Sequence, residues 1–266
     1  MELGESATIP YYYHYALMSV GGEVAISLRT ILEEVKAMPI VESAVERGVS
    51  EERIEALLVP TKALIQPLGN PSLNYNTYLS PPFFFIMLQI VVLITSLYII
   101  GSERDYDRAK EWLEVSGGST AIALAGKLAT IALIFTLSGC ASILILNHFG
   151  TIPVGIGSAC SYMILLIVAS IGLAEVVYAV VPITGIAISL VSMIGSLGAT
   201  LSGVTFPVAA MYPIFDHLAT LLPVRHFMLL LQRGADWGNI APLLGFALLP
   251  LLTLGRMRKL LTSRQL

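Results

Sequence analysis

Residues 83–118 read FFFIMLQIVVLITSLYIIGSERDYDRAKEWLEVSGG, an uncharged apolar run followed at once by a stretch in which eight of eighteen residues are charged. A helix rises about 1.5 Å per residue, so about 20 apolar residues cross the roughly 30 Å of bilayer hydrocarbon. Residues 83–100 meet that requirement and residues 101–118 do not. A second apolar run begins near residue 128, so the charged stretch is a connection held on one side of a membrane.

The rest of the 266-residue chain agrees. It is 56% hydrophobic and only 12% charged, with a mean hydropathy of +0.80, far above a soluble domain. The predicted fold is an all-α membrane protein. Its five transmembrane helices lie at about residues 83–101, 128–147, 157–181, 183–204 and 239–255, and the first opens just after Pro81-Pro82. Between the last two, residues 207–233 are interrupted by Pro213 and Pro223, too broken to span and too apolar to float free, and read as a re-entrant or interfacial segment. Ahead of the spans, residues 1–80 read as a partial α/β extracytoplasmic domain. There residues 20–38 have helical periodicity, Ser50-Glu51-Glu52 opens a helix to about Leu57, and LLVPTKALIQPL reads as extended chain.

Sidedness follows from lysine and arginine. Arg104, Arg108, Lys110 and Lys127 flank the first connection, and Arg256, Arg258, Lys259 and Arg264 crowd the last eleven residues, which have no acidic one. Four spans separate the two groups, so both face one compartment, the cytoplasm by the positive-inside rule. Residues 1–80, with ten acidic and five basic side chains, then lie outside. No export signal precedes them, which leads to the expectation of a chain lacking an N-terminal helix and half of its outer domain.

Placed on one helix, residues 103–114 put Tyr106, Ala109, Leu113 and, beside them, Trp112 on one stripe, with an i,i+4 pair Lys110–Glu114 among the charges around it. Composition alone allows a connection lying on the headgroups, anchored by Trp112, or a docking helix for a cytosolic partner.

The segment GSERDYDRAKEWLEVSGGSTAIALAGKL resembles the coupling-helix region of ABC-2 type transporter permeases, with Glu103, Glu111, Trp112, Leu113, Gly126 and Lys127 in the matching places. NPSLNYNTYLSPP, with Asn70, Pro71, Asn74 and Tyr75, resembles that family's approach to its second span, and LSGVTFP with the later Leu-Pro before an aromatic resembles its outer turn. The likeness runs from about residue 70 to 266. Where the family commonly has Gly-Thr, this chain has Asp107-Arg108.

The resemblance implies a permease subunit of an ATP-driven exporter in the bacterial plasma (inner) membrane, six-helical when intact and paired with a second permease subunit as homo- or heterodimer. ATP is bound by a separate ABC ATP-binding subunit, and a periplasmic adaptor and membrane lipid are further partners. It implies coupling to the ATPase through Glu103, Arg104, Glu111, Trp112 and Leu113, with Trp112 and Leu113 filling the partner's groove. Translocation or gating is implied at Ser202, Gly203, Phe206 and Pro207, and re-entrant helices at residues 207–233.

The chain itself is read as having no catalytic residue, metal site or cofactor. ALAGKL ends like a phosphate-binding loop, but G-x-x-x-x-G-K-[ST] needs glycine at Ala121 and a hydroxyl residue at Leu128. Lys127 is therefore read as snorkelling to the headgroups. Cys140 and Cys160 lie in apolar runs and read as packing residues. Glu175, the one ionisable group well inside a span, lines a path, touches a second subunit or bonds a neighbouring helix. Gly185, Gly195, Gly198 and Gly203 with Ser189, Ser192, Ser196 and Ser202 form a small-residue face suited to close helix approach.

Two other classes compete. An intramembrane serine hydrolase would use Ser202 with His217 or His226, although no G-x-S-x-G is present. A non-ABC membrane carrier would show several intramembrane carboxylates or an internal repeat, and a scaffold would need neither. Nothing in composition suits a nucleic-acid partner.

Overall fold

The chain divides between Asn74 and Tyr75 into two units. The computed structural model describes residues 75–150, 152–203 and 212–263, together with Val24, Ile26, Ser27, Leu28, Thr30, Ile31, Glu46 and Gly48 of the first unit.

In the first unit the described residues between Val24 and Ile31 are helical, within the helix expected over residues 20–38. No strand occurs among the described residues, so the α/β character expected there has no support. The helix expected near Ser50 and the extended LLVPTKALIQPL lie outside them.

The second unit is built of helices, as an apolar solvent requires: backbone N–H and C=O groups must pair within the chain. In order they are α1 (Tyr75–Asp105), α2 (Ala109–Val115), α3 (Thr120–His148), α4 (Ile156–Val180), α5 (Thr184–Leu201), α6 (Pro213–Thr220), α7 (Pro223–Arg233), α8 (Trp237–Leu248) and α9 (Pro250–Thr262). Among the described residues five helical stretches are long and apolar enough to cross a membrane, Leu79–Asp105, Thr120–His148, Ile156–Val180, Thr184–Leu201 and Trp237–Thr262, and the bent pair Pro213–Thr220 with Pro223–Arg233 would be a sixth if it is one span.

The helix ends differ from the sequence reading for local reasons. α1 begins before Pro81 and Pro82 and carries both inside it. Their missing N–H groups orphan only the carbonyls of Thr77 and Tyr78, near the helix start, which limits the cost. α3 begins eight residues earlier than expected because Ser119 caps it, its Oγ accepting from Ile122 N. The last span is jointed: α8 stops at Leu248, Leu249 links, and Pro250 opens α9. Residues 207–233 contain α6 and α7, each started by a proline and set 93° apart.

α4 is the central helix. Of its apolar window 61% is buried, against 22% for α3 and 11% for the last span. The main core gathers Phe85, Leu93 and Leu97 of α1, Met163, Leu166 and Tyr178 of α4, Val191 of α5, Phe227 of α7 and Leu243 of α8. Small residues let these helices approach. A Cβ on Gly195 would lie 2.5 Å from Ile90 Cγ1, one on Gly198 2.8 Å from Val224 Cγ1, and one on Gly172 would press on the Phe246 carbonyl of α8. The small-residue face of α5 is thus used for helix contact at Gly195 and Gly198. Gly185 faces open space, and Ser189, Ser192 and Ser196 return their hydroxyls to carbonyls of their own helix.

Candidate functional site

The charged connection is two pieces. α1 carries Glu103 and Arg104 on its last turn, and three residues later α2 begins. The single helix expected over residues 103–114 is interrupted because α1 ends in a reverse turn: Arg108 N donates to Glu103 O at 2.8 Å and Asp107 N to Arg104 O at 3.0 Å. That pattern needs one residue in the left-handed region, and Asp107 takes it with φ 55. Aspartate tolerates this conformation better than most side chains. The departure from Gly-Thr at Asp107-Arg108 falls in this turn. α2 ends in a second such turn, Gly118 N to Leu113 O at 2.8 Å, with Gly117 and Gly118 at φ 64 and 75.

The break reassigns the stripe. Ala109 and Leu113 face inward and pack on Ala123 of α3 and Leu261 of α9, while Tyr106, cut off from the helix, is 65% exposed. Trp112 is half-buried, and Lys127 Nζ stands 4.7 Å above its ring centroid. The same ammonium pairs with Glu103, which is 9% exposed and also has Arg108 Nη2 at 3.9 Å. Lys127 therefore does not snorkel to headgroups: a nearly buried carboxylate and an indole face hold it within the protein.

Arg104 also turns inward, its Nη1 donating to Pro182 O at 2.9 Å, and Arg256 of α9 donates through Nη2 to Val180 O at 3.2 Å. Two guanidinium groups thus satisfy carbonyls at the end of α4, where the helix dipole favours cations. Glu111, Lys110 and Glu114 are exposed, and the expected Lys110–Glu114 pair does not form among the described residues. Of the five expected coupling residues, Glu103, Trp112 and Leu113 join one cluster, Arg104 reaches the α4–α5 turn instead, and Glu111 faces outward. Sequence reading missed Arg256, Leu261 and the partnership of Lys127. Their signal is long-range, since Lys127 is 24 residues from its carboxylate.

At the other end of the bundle, α5 stops at Leu201, Ser202 closes it with N donating to Gly198 O at 3.0 Å, and Gly203 turns the chain with φ 85. Ser202 is 3% exposed and its hydroxyl lacks a partner among the described residues. Phe206 and Pro207 lie outside the described residues. His226 of α7 faces Asn239 Oδ1 at 3.0 Å and Thr220 O at 2.8 Å, so neither ring nitrogen serves Ser202, and His217 on α6 is exposed. The serine-hydrolase reading thus lacks a base with a free nitrogen at His226.

Glu175 is buried on α4, 3% exposed, one turn beyond the Gly172 seat of α8, and its Oε1 has no hydrogen-bond partner among the described residues. It faces protein. Cys140 and Cys160 are free thiols, and no group of three or more potential metal ligands occurs among the described residues.

Comparison with known proteins gives one result. A family profile described as ABC-2 family transporter protein matches residues 2–254. Neither the curated proteins nor the solved structures yield a match. A match over nearly the whole chain, joined to five apolar helices able to cross a bilayer, makes this a multi-pass membrane protein of the ABC-2 transporter family.

Proposed function

We propose that the chain is the permease subunit of an ATP-driven ABC-2 type exporter, working with a separate ABC ATP-binding subunit and a second permease subunit in a bacterial plasma membrane. The observation that carries the reading is the seating of α2. This short helix has one face locked to α3 and α9 through Ala109, Leu113, Ala123 and Leu261, and its other face leaves Lys110, Glu111 and Glu114 exposed.

In this reading the residues divide their labour. Glu111 and its exposed neighbours meet the ATPase. Glu103, Lys127, Trp112 and Leu113 make α2 one body with the ends of α1 and α3, and Arg104 extends the connection to the α4–α5 turn. Motion of the ATPase on binding ATP then reaches the spans through packed side chains and short connections. The cluster and the basic C-terminal end of α9 lie at one end of the bundle, which favours placing both in the cytoplasm. Ser202, Gly203 and the bent α6–α7 pair then border the outer mouth, with Glu175 nearer the cytoplasmic side. A periplasmic adaptor would meet that outer side.

The test is co-expression with candidate ABC ATP-binding proteins and reconstitution with one that co-purifies. Glu111→Arg should lower ATP-stimulated export at least tenfold and weaken co-purification, with spans and thermal stability unchanged. Full export by that variant, or efflux by the permease alone without ATP, would remove the reading.

A further inference from the structure

His226 is 4% exposed at the junction of α6, α7 and α8, and both of its ring nitrogens face acceptors. Nε2 lies 2.8 Å from the Thr220 carbonyl at the end of α6, and Nδ1 lies 3.0 Å from Asn239 Oδ1 on α8. A neutral imidazole has one N–H and one lone pair, so it can serve only one of these.

Turning the Asn239 amide over would offer Nδ1 a donor, but Asp236 prevents it. Asn239 Nδ2 donates to Asp236 Oδ2 at 2.8 Å, and the other carboxylate oxygen accepts Gly238 N at 3.2 Å to cap α8. A turned amide would set its oxygen against that carboxylate. Both contacts are therefore made together only by the doubly protonated ring, whose charge Asp236 complements one residue away.

The other charged groups near the junction are accounted for. On α7, Arg225 pairs with Asp216 of α6 at 3.1 Å, and Arg233 closes the far end. His217 on α6 is exposed. α1 has charges only at its opposite end, α5 has none, and α4 offers only Glu175, five residues from its opposite end.

We propose that His226 is a proton-operated clip which, when charged, fastens α6, α7 and α8 together at the bend and which releases α6 when the ring gives its second proton to water. The bond to Asn239 is buried on both sides and persists. Thr220 ends a helix that is exposed apart from Ala219, so its carbonyl can exchange the imidazole for water as α6 swings out. Acid thus holds the hairpin shut and alkali loosens it.

The test uses the full chain in liposomes, with Cys140 and Cys160 replaced by alanine and spin labels on cysteines placed at the exposed Ile214 and Trp237. Distances are measured by pulsed electron resonance at about pH 5 and about pH 8. The expected result is one narrow distance in acid and, in alkali, a longer population raised at least about tenfold, the effect of one lost hydrogen bond to a charged group. His226→Phe should show the longer population at both pH values. Asp236→Asn, which keeps a capping side chain and frees Asn239 to turn, should show the short distance at both. Identical distributions at the two pH values in the parent, or a pH response surviving in either variant, would overturn the clip.

Discussion

The contact between Gly172 of α4 and the backbone of α8 makes a paired experiment with opposite signs. A methyl group at Gly172 would press on the Phe246 carbonyl oxygen and come within 3.3 Å of Pro250 Cδ. Neither is the free end of a flexible side chain: one is backbone and the other a ring inside a helix start. The two helices must move apart, losing packing along their whole contact, and overpacking of this kind costs about 1–3 kcal/mol. Gly185 of α5 is the control, since a Cβ there meets nothing within 4 Å. Alanine at that site should gain up to about 1 kcal/mol from helix propensity. At about 2–4 °C per kcal/mol for a unit of this size, Gly172→Ala should melt several degrees below the parent and Gly185→Ala at or slightly above it. Thermal unfolding in detergent, followed by circular dichroism, reads both. Equal melting of the two variants would refute the close seating of α8 on α4.

Lys127→Met should cost about 1–3 kcal/mol by leaving the nearly buried Glu103 with only Arg108, while adding Glu103→Gln should recover most of the loss; denaturation of both variants in detergent measures the difference. Asp107→Gly should leave stability unchanged or raise it by up to about 1 kcal/mol, whereas Asp107→Val should lower it by more than that, because valine resists the left-handed conformation; melting curves of the pair separate the cases. Glu175→Gln should keep the fold, and Glu175→Lys should depress membrane insertion and yield, since a bulkier cation would then stand among buried side chains; gel filtration of the solubilised variants reports it.

Much of this was legible in the sequence because bilayer energetics act on whole segments. Twenty uncharged residues announce a span wherever its exact ends fall, and the prolines at 213 and 223 announce a broken one. What resisted reading depended on single atoms or distant partners. Pro81 and Pro82 signalled a helix start, yet α1 begins earlier because two lost N–H groups near a terminus cost little. The charged connection has helical periodicity throughout, but the turn at Asp107 divides it, and its glycine-like conformation is not visible in an aspartate. Lys127 and Trp112 each have an ordinary interfacial use in isolation, and only the pairing of α1 with α3 gives Lys127 to Glu103 and sets it over the Trp112 ring. The two acceptors around His226 come from helices six and thirteen residues away along the chain, which no local pattern reveals.

The joints on either side of α2 are only three and four residues long, and hydrogen bonds have already fixed both as tight turns. Even fully drawn out, such a tether spans little more than about 10–14 Å, so it holds almost no slack. In the proposed exporter a push on this small helix would not be lost in a floppy loop: it would tilt both neighbouring apolar helices at once, as a lever with a short arm.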